Sequence, residues 1–180
     1  MQQHEYGLLK MFIDLHGHVN KMGTFLYGNA IRGLPQIENV LFAKLMSLNS
    51  LNFDFADCNF TEANMVVKDR IDGLSREGAS RVAMYKATSL PNCYTIETSF
   101  QGSKKLNTLA SKFNKLKKAI EPEQPITNPY SKLYEGKPAI YVPEIYEDIG
   151  RAICNSLLDY YDENPLSRIT NSSYKTIEVR

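Results

Sequence analysis

The feature that most constrains the fold is a short apolar run that ends in a cluster of polar, metal-binding residue types. The run, Leu8–Leu15, has the length and composition of a buried strand. It leads into Asp14-Leu-His16-Gly-His18, and a long loop rich in glycine and asparagine follows. Loops that leave strand ends in α/β proteins commonly carry sites, so we expect a functional site at this point.

Asp14, His16 and His18 have the chemistry and the spacing of a metal site. Residues two apart share one face of an extended chain, so both imidazoles can point into one pocket. Two histidines and a carboxylate suit zinc or a similar metal, with Asp14 either as a ligand or as the group that orients a histidine. Loop histidines bonded to backbone groups explain this motif equally well on its own.

Helical and strand-like patterns alternate further along the chain. Pro143–Tyr161 is the clearest helix, with a proline in its first turn and one apolar face. Gln36–Leu48 also predicts a helix. Its predicted inward face consists of aliphatic side chains, namely Ile37, Val40, Leu41, Leu45 and Leu48. Arg81–Thr88 and Asn92–Phe100 contain β-branched and aromatic residues and predict two strands. The chain is therefore predicted to be α/β.

One carboxylate and one guanidinium in these two segments are candidates for function. Glu97 lies in an otherwise apolar or β-branched strand, where a buried carboxylate needs a cation, a metal or a site. Near a metal it suits general base catalysis, whereas a strand residue facing solvent is the simpler interpretation. Arg81 comes near Glu97 if the two strands pair. It then forms an ion pair or receives a substrate carboxylate.

Composition limits the classes of partner. The net charge is +1, which gives no reason to expect a nucleic acid or a membrane surface as a partner, and no apolar run approaches the roughly 20 residues of a membrane span. Residues 102–138 are basic and rich in proline, and they predict a poorly packed insertion with a short helix near Leu106–Ile120. This insertion attracts acidic polymers or is simply a solvated face.

The cysteines indicate the compartment. Cys58, Cys93 and Cys154 are odd in number and far apart, which argues against a disulfide framework. Met1–Lys10 has no basic flank followed by an apolar core, so no signal peptide is expected. The three residues are therefore predicted to be reduced thiols in a cytoplasmic protein.

Several sequence blocks together resemble the cytosolic carboxypeptidase family. They are, in order, Phe12-Ile-Asp-Leu-His-Gly-His18 with Lys21 and Phe25-Leu-Tyr-Gly28 after it, then Arg76–Val82, and then Tyr94–Phe100. The resemblance implies a partial zinc-carboxypeptidase-type mixed sheet flanked by helices. It assigns residues 1–169 to the C-terminal part of a catalytic domain, with 102–138 as an insertion and 170–180 as a tail.

The resemblance also implies an activity and roles for individual residues. It implies a zinc metallocarboxypeptidase that removes glutamates from tubulin and other acidic tails, located in the cytoplasm and able to associate with the cytoskeleton. By position, His16 matches the third zinc ligand and Glu97 the general base for the attacking water. Arg81 lies where a basic side chain receives the substrate's glutamate side chain, and Asp14 lies behind the ligands. His18 has no family role to carry over.

The family's first two zinc ligands come from an upstream His-x-x-Glu motif, which this sequence lacks. His4 is followed three residues later by Gly7, and the remaining histidines are His16 and His18. A catalytic zinc site uses three protein ligands and one open position, so this chain is expected to need the missing N-terminal half, in cis or in trans. We expect a truncated form of a longer protein, whose partial sheet exposes apolar faces and unpaired edges.

Two other functions stay open at this point. One is a catalytically inactive half-domain that acts as a structural or tubulin-binding module. The other is a small metal-dependent hydrolase that uses only Asp14, His16 and His18. Metal content and the effect of removing His18 distinguish these interpretations.

Overall fold

The structure, a computed structural model, describes residues 9–68, 78–107, 109–110 and 139–169. The helices and strands in these ranges are, in chain order, β1 (Phe12–His18), β2 (Thr24–Tyr27), α1 (Pro35–Asn49), a 3-10 turn (Phe55–Asp57), α2 (Glu62–Val66), α3 (Ser80–Thr88), β3 (Cys93–Ser99), β4 (Gly102–Ser103), β5 (Ala139–Ile140) and α4 (Pro143–Tyr160). None of the helices in these ranges is long and apolar enough to cross a bilayer. Most of the insertion 102–138, its predicted helix and the tail 170–180 lie outside the described residues.

A mixed sheet organises the fold. Its strand order is β1-β3-β2, with β1 parallel and β2 antiparallel to the central strand β3. α1 and α4 pack on one face, and α3 contacts β1 and β3 on the other. The segment 53–59 covers the outer edge of β2, because Thr24 and Tyr27 form bridges to Phe53 and Asn59. The predicted α/β class, with a mixed sheet flanked by helices, is confirmed.

The core lies between the sheet and the helix pair α1–α4. Phe42 of α1 stacks on Tyr94 of β3 with 5.1 Å between ring centroids, and Ile96 and Leu26 complete the sheet side of the cluster. α4 contributes Ala152 from the apolar face that the sequence predicts. The alternation along β3 therefore directs Tyr94 and Ile96 into the core, and it directs Thr95, which lies between them, to the opposite face.

α1 forms where the sequence predicts a helix, but the predicted inward face is partly wrong. Ile37 is 58% exposed, and the buried residues of this helix are Asn39, Phe42, Ala43, Leu45 and Met46. The large side chains Phe42 and Met46 set the rotation of the helix. Asn39 is buried beside them, and its main-chain oxygen accepts a hydrogen bond from the Tyr94 hydroxyl at 2.9 Å.

The predicted strand Arg81–Thr88 is wrong, because this segment is the helix α3. Its alanines, Met84 and Lys86 favour a helix, whereas Val82 and Tyr85 gave it a strand-like appearance. The helix ends at Ser89, which adopts a left-handed conformation (φ 56°) and donates its N–H to the Tyr85 oxygen at 2.7 Å. Arg81 therefore approaches the sheet from a helix and not from a strand paired with β3.

β1 overlaps the predicted strand Leu8–Leu15 over Phe12–Leu15, and it is not a buried strand. It spans Phe12–His18 and lies at the edge of the sheet, and the described residues include no strand on its outer side. Leu15 pairs in register with the core residue Ile96, so it points to the core side of the sheet, yet it is 66% exposed. The edge and the apolar side chain are thus uncovered within the described part of the chain.

The three cysteines are free thiols, as predicted, and their environments differ. Burial raises the pKa of Cys58 to about 12 and that of Cys93 to about 11, whereas Cys154 is exposed. Because the thiolate is the reactive form, iodoacetamide at pH 8 is expected to alkylate Cys154 in the native protein and to leave Cys58 and Cys93 unmodified. Peptide mass spectrometry measures this directly. Equal labelling of all three would contradict the buried positions of Cys58 and Cys93.

Candidate active site

His16 and Glu97 are direct neighbours on two parallel strands. The Cα atoms of β1 and β3 pair in register, and His16 pairs with Glu97. Neighbours on adjacent strands, which lie roughly 4.8 Å apart, direct their side chains to the same face. Ile96 occupies the core face, so both side chains lie on the opposite face, where His16 is 53% exposed and Glu97 is half-buried. The fold thus brings together the two residues that the sequence singled out separately.

Asp14 orients the imidazole of His16. The Nε2 atom of His16 lies 3.0 Å from Oδ2 of Asp14, whose side chain is 24% exposed. The same carboxylate oxygen accepts a hydrogen bond from the Ser80 hydroxyl at the start of α3. With Nε2 directed at the carboxylate, Nδ1 is the nitrogen of His16 that remains for a metal. This arrangement fits the predicted place of Asp14 behind the ligand, although the roles themselves stay predictions.

His18 takes part in the local structure of the loop after β1. Its Nδ1 atom accepts the backbone N–H of Lys21 at 2.9 Å, and its ring packs edge-on against Phe25 at 5.4 Å between centroids. In the described ranges no three His, Cys, Asp or Glu side chains lie close enough to hold a metal. His16, oriented by Asp14, thus keeps one imidazole nitrogen for a metal, but within the described ranges it does not form a metal site with its neighbours.

A row of aromatic and cationic side chains runs along β2 beside Glu97. Phe25 pairs in register with Glu97, and its ring contacts the Tyr27 ring at 5.5 Å between centroids. The Lys21 ammonium lies 4.0 Å from the centre of the Phe25 ring, and the Arg81 guanidinium lies 5.4 Å from that of Tyr27. The site face therefore carries one cation near each end of a two-ring aromatic surface.

Arg81 lies on the site face but is buried. It is only 2% exposed, and its guanidinium donates to the Asn64 side-chain oxygen at 2.6 Å and to the Gly28 main-chain oxygen at 3.4 Å. Asn29 is also buried and donates to the main-chain oxygen of Arg81 at 3.2 Å. The guanidinium is thus held firmly at the end of β2. The structure does not test its predicted contact with a substrate.

Sequence reasoning missed the residues that hold the predicted ones in place. Asn64 was overlooked because a polar residue in a five-residue helix carries no periodic signal. Ser80 carries no signal of its own, because the segment after it has the appearance of a strand and not of the helix that Ser80 begins. Tyr27 lies two residues after Phe25, and in a strand this spacing predicts that both rings lie on the same face of the sheet.

A surface cavity of about 340 Å³ lies between the segment 30–32, α2 and Lys86 of α3. Its lining is mixed in charge and polarity and consists of Ala30, Ile31, Arg32, Glu62, Met65, Val66 and Lys86. Neither His16 nor Glu97 contributes to it. The candidate active site is therefore the face of the sheet that carries His16 and Glu97, and not this cavity.

Comparisons with known proteins give the family. No protein-family model matches the chain. Cytosolic carboxypeptidase-like protein 5 of Danio rerio is 40% identical over 167 residues, which cover 92% of this chain. The human protein of the same name is 38% identical over the same length. The chain belongs to the cytosolic carboxypeptidase family. The resemblance noted in the sequence is thereby confirmed, and both of these relatives carry the name cytosolic carboxypeptidase-like protein 5.

The family relationship extends to part of each relative. The aligned segment spans 18% of the length of both proteins named above. Human cytosolic carboxypeptidase 6 is 24% identical over 161 residues, which cover 88% of this chain and 24% of that protein. A crystal structure of a metallo-carboxypeptidase from Burkholderia cenocepacia has a TM-score of 0.49 and 14% identity over 85% of this chain and 30% of its own. The activity of the complete relatives is thus a proposal for this chain.

Proposed function

We propose that this chain is part of a zinc metallocarboxypeptidase that removes glutamates from acidic protein tails such as those of tubulin. The observation that carries the proposal is the register pairing of His16 with Glu97 on the face of the sheet opposite the core. A histidine and a carboxylate lie side by side, and Asp14 orients the histidine. This pair suits metal-assisted hydrolysis. Membership in a family of carboxypeptidases supports the same reaction.

The chemistry divides between the metal and the side chains. His16, together with ligands from outside the described residues, would hold a zinc ion, which would supply Lewis acidity. Glu97 is the general base that takes a proton from that water. It later returns the proton to the leaving amine, so the same carboxylate serves both steps. Asp14 holds the His16 ring so that Nδ1 faces the metal.

The missing zinc ligands belong to a second part of the proposal. We propose that the N-terminal half of the domain supplies them, in cis or in trans. The uncovered outer edge of β1 and the exposed Leu15 support a neighbour on this side of the described residues. We also propose a cytoplasmic location, with association with the cytoskeleton through tubulin, because the relatives are named cytosolic carboxypeptidases.

Glutamate release from a synthetic peptide that ends in several glutamates tests the proposed activity. The complete natural protein is expected to release free glutamate, and dialysis against a zinc chelator is expected to stop the release until zinc is restored. Activity that survives the removal of metal would exclude the zinc mechanism. Release of other C-terminal residues at an equal rate would exclude the preference for glutamate.

Arg81 is proposed to receive the glutamate side chain of the substrate. Replacing it with methionine is expected to lower kcat/KM about 10- to 100-fold for a peptide ending in glutamate, because hydrogen bonds to charged groups contribute about 1.5–3 kcal/mol. A peptide ending in glutamine is expected to lose less. Arg151→Met, at an exposed arginine of α4, is the matched control. Equal losses on both peptides, together with a lower melting temperature, would make Arg81 purely structural.

A second candidate function is an inactive half-domain that serves as a structural or tubulin-binding module. The absence of three potential metal ligands in proximity, within the described ranges, favours it. The absence of a His-x-x-Glu motif from the sequence favours it as well. Zinc content and glutamate release decide between the two candidates.

A further inference from the structure

Lys21 connects three separate elements around the candidate active site. Its backbone N–H donates to Nδ1 of His18 at the end of β1, at 2.9 Å. Its ammonium donates to the main-chain oxygen of Asp57 at 3.0 Å and lies 3.4 Å from the carboxylate of the same residue. The ammonium also lies 4.0 Å from the centre of the Phe25 ring on β2. One residue therefore joins β1, β2 and the 3-10 turn.

The aromatic partner of Lys21 is the cross-strand neighbour of Glu97. Phe25 pairs in register with Glu97, so its ring and the carboxylate side chain leave the same face of the sheet. The ring is completely buried and is held by His18 on one side and Tyr27 on the other. A movement of Phe25 therefore changes the space in which Glu97 lies.

The loop that carries Lys21 also carries the end of the strand with His16. Residues 19–23 connect β1 to β2, and Gly23 takes a positive φ of 95° where the chain enters β2. Lys21 is the middle residue of this connection. It is bonded at one end to His18 and at the other to Asp57. The loop therefore links the ends of β1 and β2, the two strands that pair with β3 on either side of Glu97.

We propose that Lys21 is a positioning residue of the hydrolytic site, which keeps Phe25 and the end of β1 in place beside Glu97. This inference rests on the proposed function, since Glu97 is there the general base. A general base must lie within hydrogen-bond reach of the proton that it accepts. Lys21 acts through Phe25 and His18 and does not contact the substrate.

A simple surface ion pair is the competing explanation for Lys21. The side chains of Lys21 and Asp57 are 37% and 40% exposed, and pairs of this kind contribute little. The same part of the chain contains a suitable comparison. Lys105 pairs with Asp54 at 3.0 Å, three residues before Asp57. Lys105→Met thus removes a neighbouring ion pair and leaves the Phe25 contact intact.

Kinetics of the complete protein test the proposal. Lys21→Met is expected to lower kcat about 10- to 100-fold with KM within about twofold of wild type, because small displacements of reacting groups reduce rates to this extent. Lys21→Arg, which keeps a cation on the ring, is expected to restore most of kcat. Lys105→Met is expected to match wild type. A normal kcat in Lys21→Met, or an equal loss in Lys105→Met, would overturn the proposal.

Amide hydrogen exchange gives a readout that does not depend on catalysis. Lys21→Met is expected to accelerate exchange at residues 18–25 by about 10-fold or more, and Lys21→Arg and Lys105→Met are expected to leave it unchanged. If the wild-type protein releases no glutamate, the proposed function fails, and the exchange data alone decide whether Lys21 holds this loop. Unchanged exchange in Lys21→Met would then overturn the inference.

Discussion

Replacing Glu97 with glutamine in the complete protein is expected to reduce glutamate release by about 10²- to 10⁴-fold, the usual contribution of a general base. Glutamine has nearly the same shape but has no basic oxygen that can take a proton from water. The substitution leaves His16 and its partner Asp14 unchanged, so zinc content is expected to stay at the wild-type level. Initial rates of glutamate release and metal analysis of the same sample measure both expectations.

A second carboxylate provides the control for this variant. Glu147 is exposed on α4, on the far side of the sheet from Glu97, and Glu147→Gln is expected to retain full activity. Undiminished release in Glu97→Gln would remove Glu97 from the mechanism. Loss of zinc together with activity would instead make Glu97 part of the metal site. A lower melting temperature with normal zinc would indicate that its main contribution is to the sheet.

The main helices and strands could be predicted because their patterns are long or well bounded. α4 has eighteen residues with a continuous apolar face, and β3 lies within the predicted strand Asn92–Phe100. α3 has nine residues, too few to show whether its apolar spacing follows a helix or a strand. The prediction that Ile37 faces inward was wrong for a different reason. Periodicity gives a helix face only approximately, and contacts made by Phe42 and Tyr94 determine its final rotation.

The candidate site could be predicted as a set of residues but not as an arrangement. His16 and Glu97 lie 81 positions apart in the sequence, and register between parallel strands depends on packing along both strands. The strand predicted for Arg81 was wrong, because this residue lies on the helix α3, and its burial against Asn64 had no sequence signal. Lys21 appeared only as a member of a motif. Its contacts with Asp57 and Phe25 depend on a loop geometry that local sequence does not specify.

The complete protein and the 180-residue chain are expected to differ in their zinc binding. The complete protein is expected to retain one zinc per molecule after gel filtration, and the 180-residue chain is expected to retain none, because His16 alone fills one ligand position. His16→Ala in the complete protein is expected to weaken zinc binding on the order of 10²- to 10³-fold, since four-ligand structural sites bind with about 10–16 kcal/mol in total. Elemental analysis and chelator competition measure these quantities.

His18→Ala is the matched control, because His18 uses Nδ1 to accept a hydrogen bond from Lys21 and lies two residues from His16 on the same strand. It is expected to retain zinc. Loss of zinc from His18→Ala would favour a site built from Asp14, His16 and His18 alone. Tightly bound, stoichiometric zinc in the 180-residue chain would contradict the need for ligands from elsewhere. A complete protein without zinc or glutamate release, but with tubulin binding, would leave the inactive module as the function of this sheet.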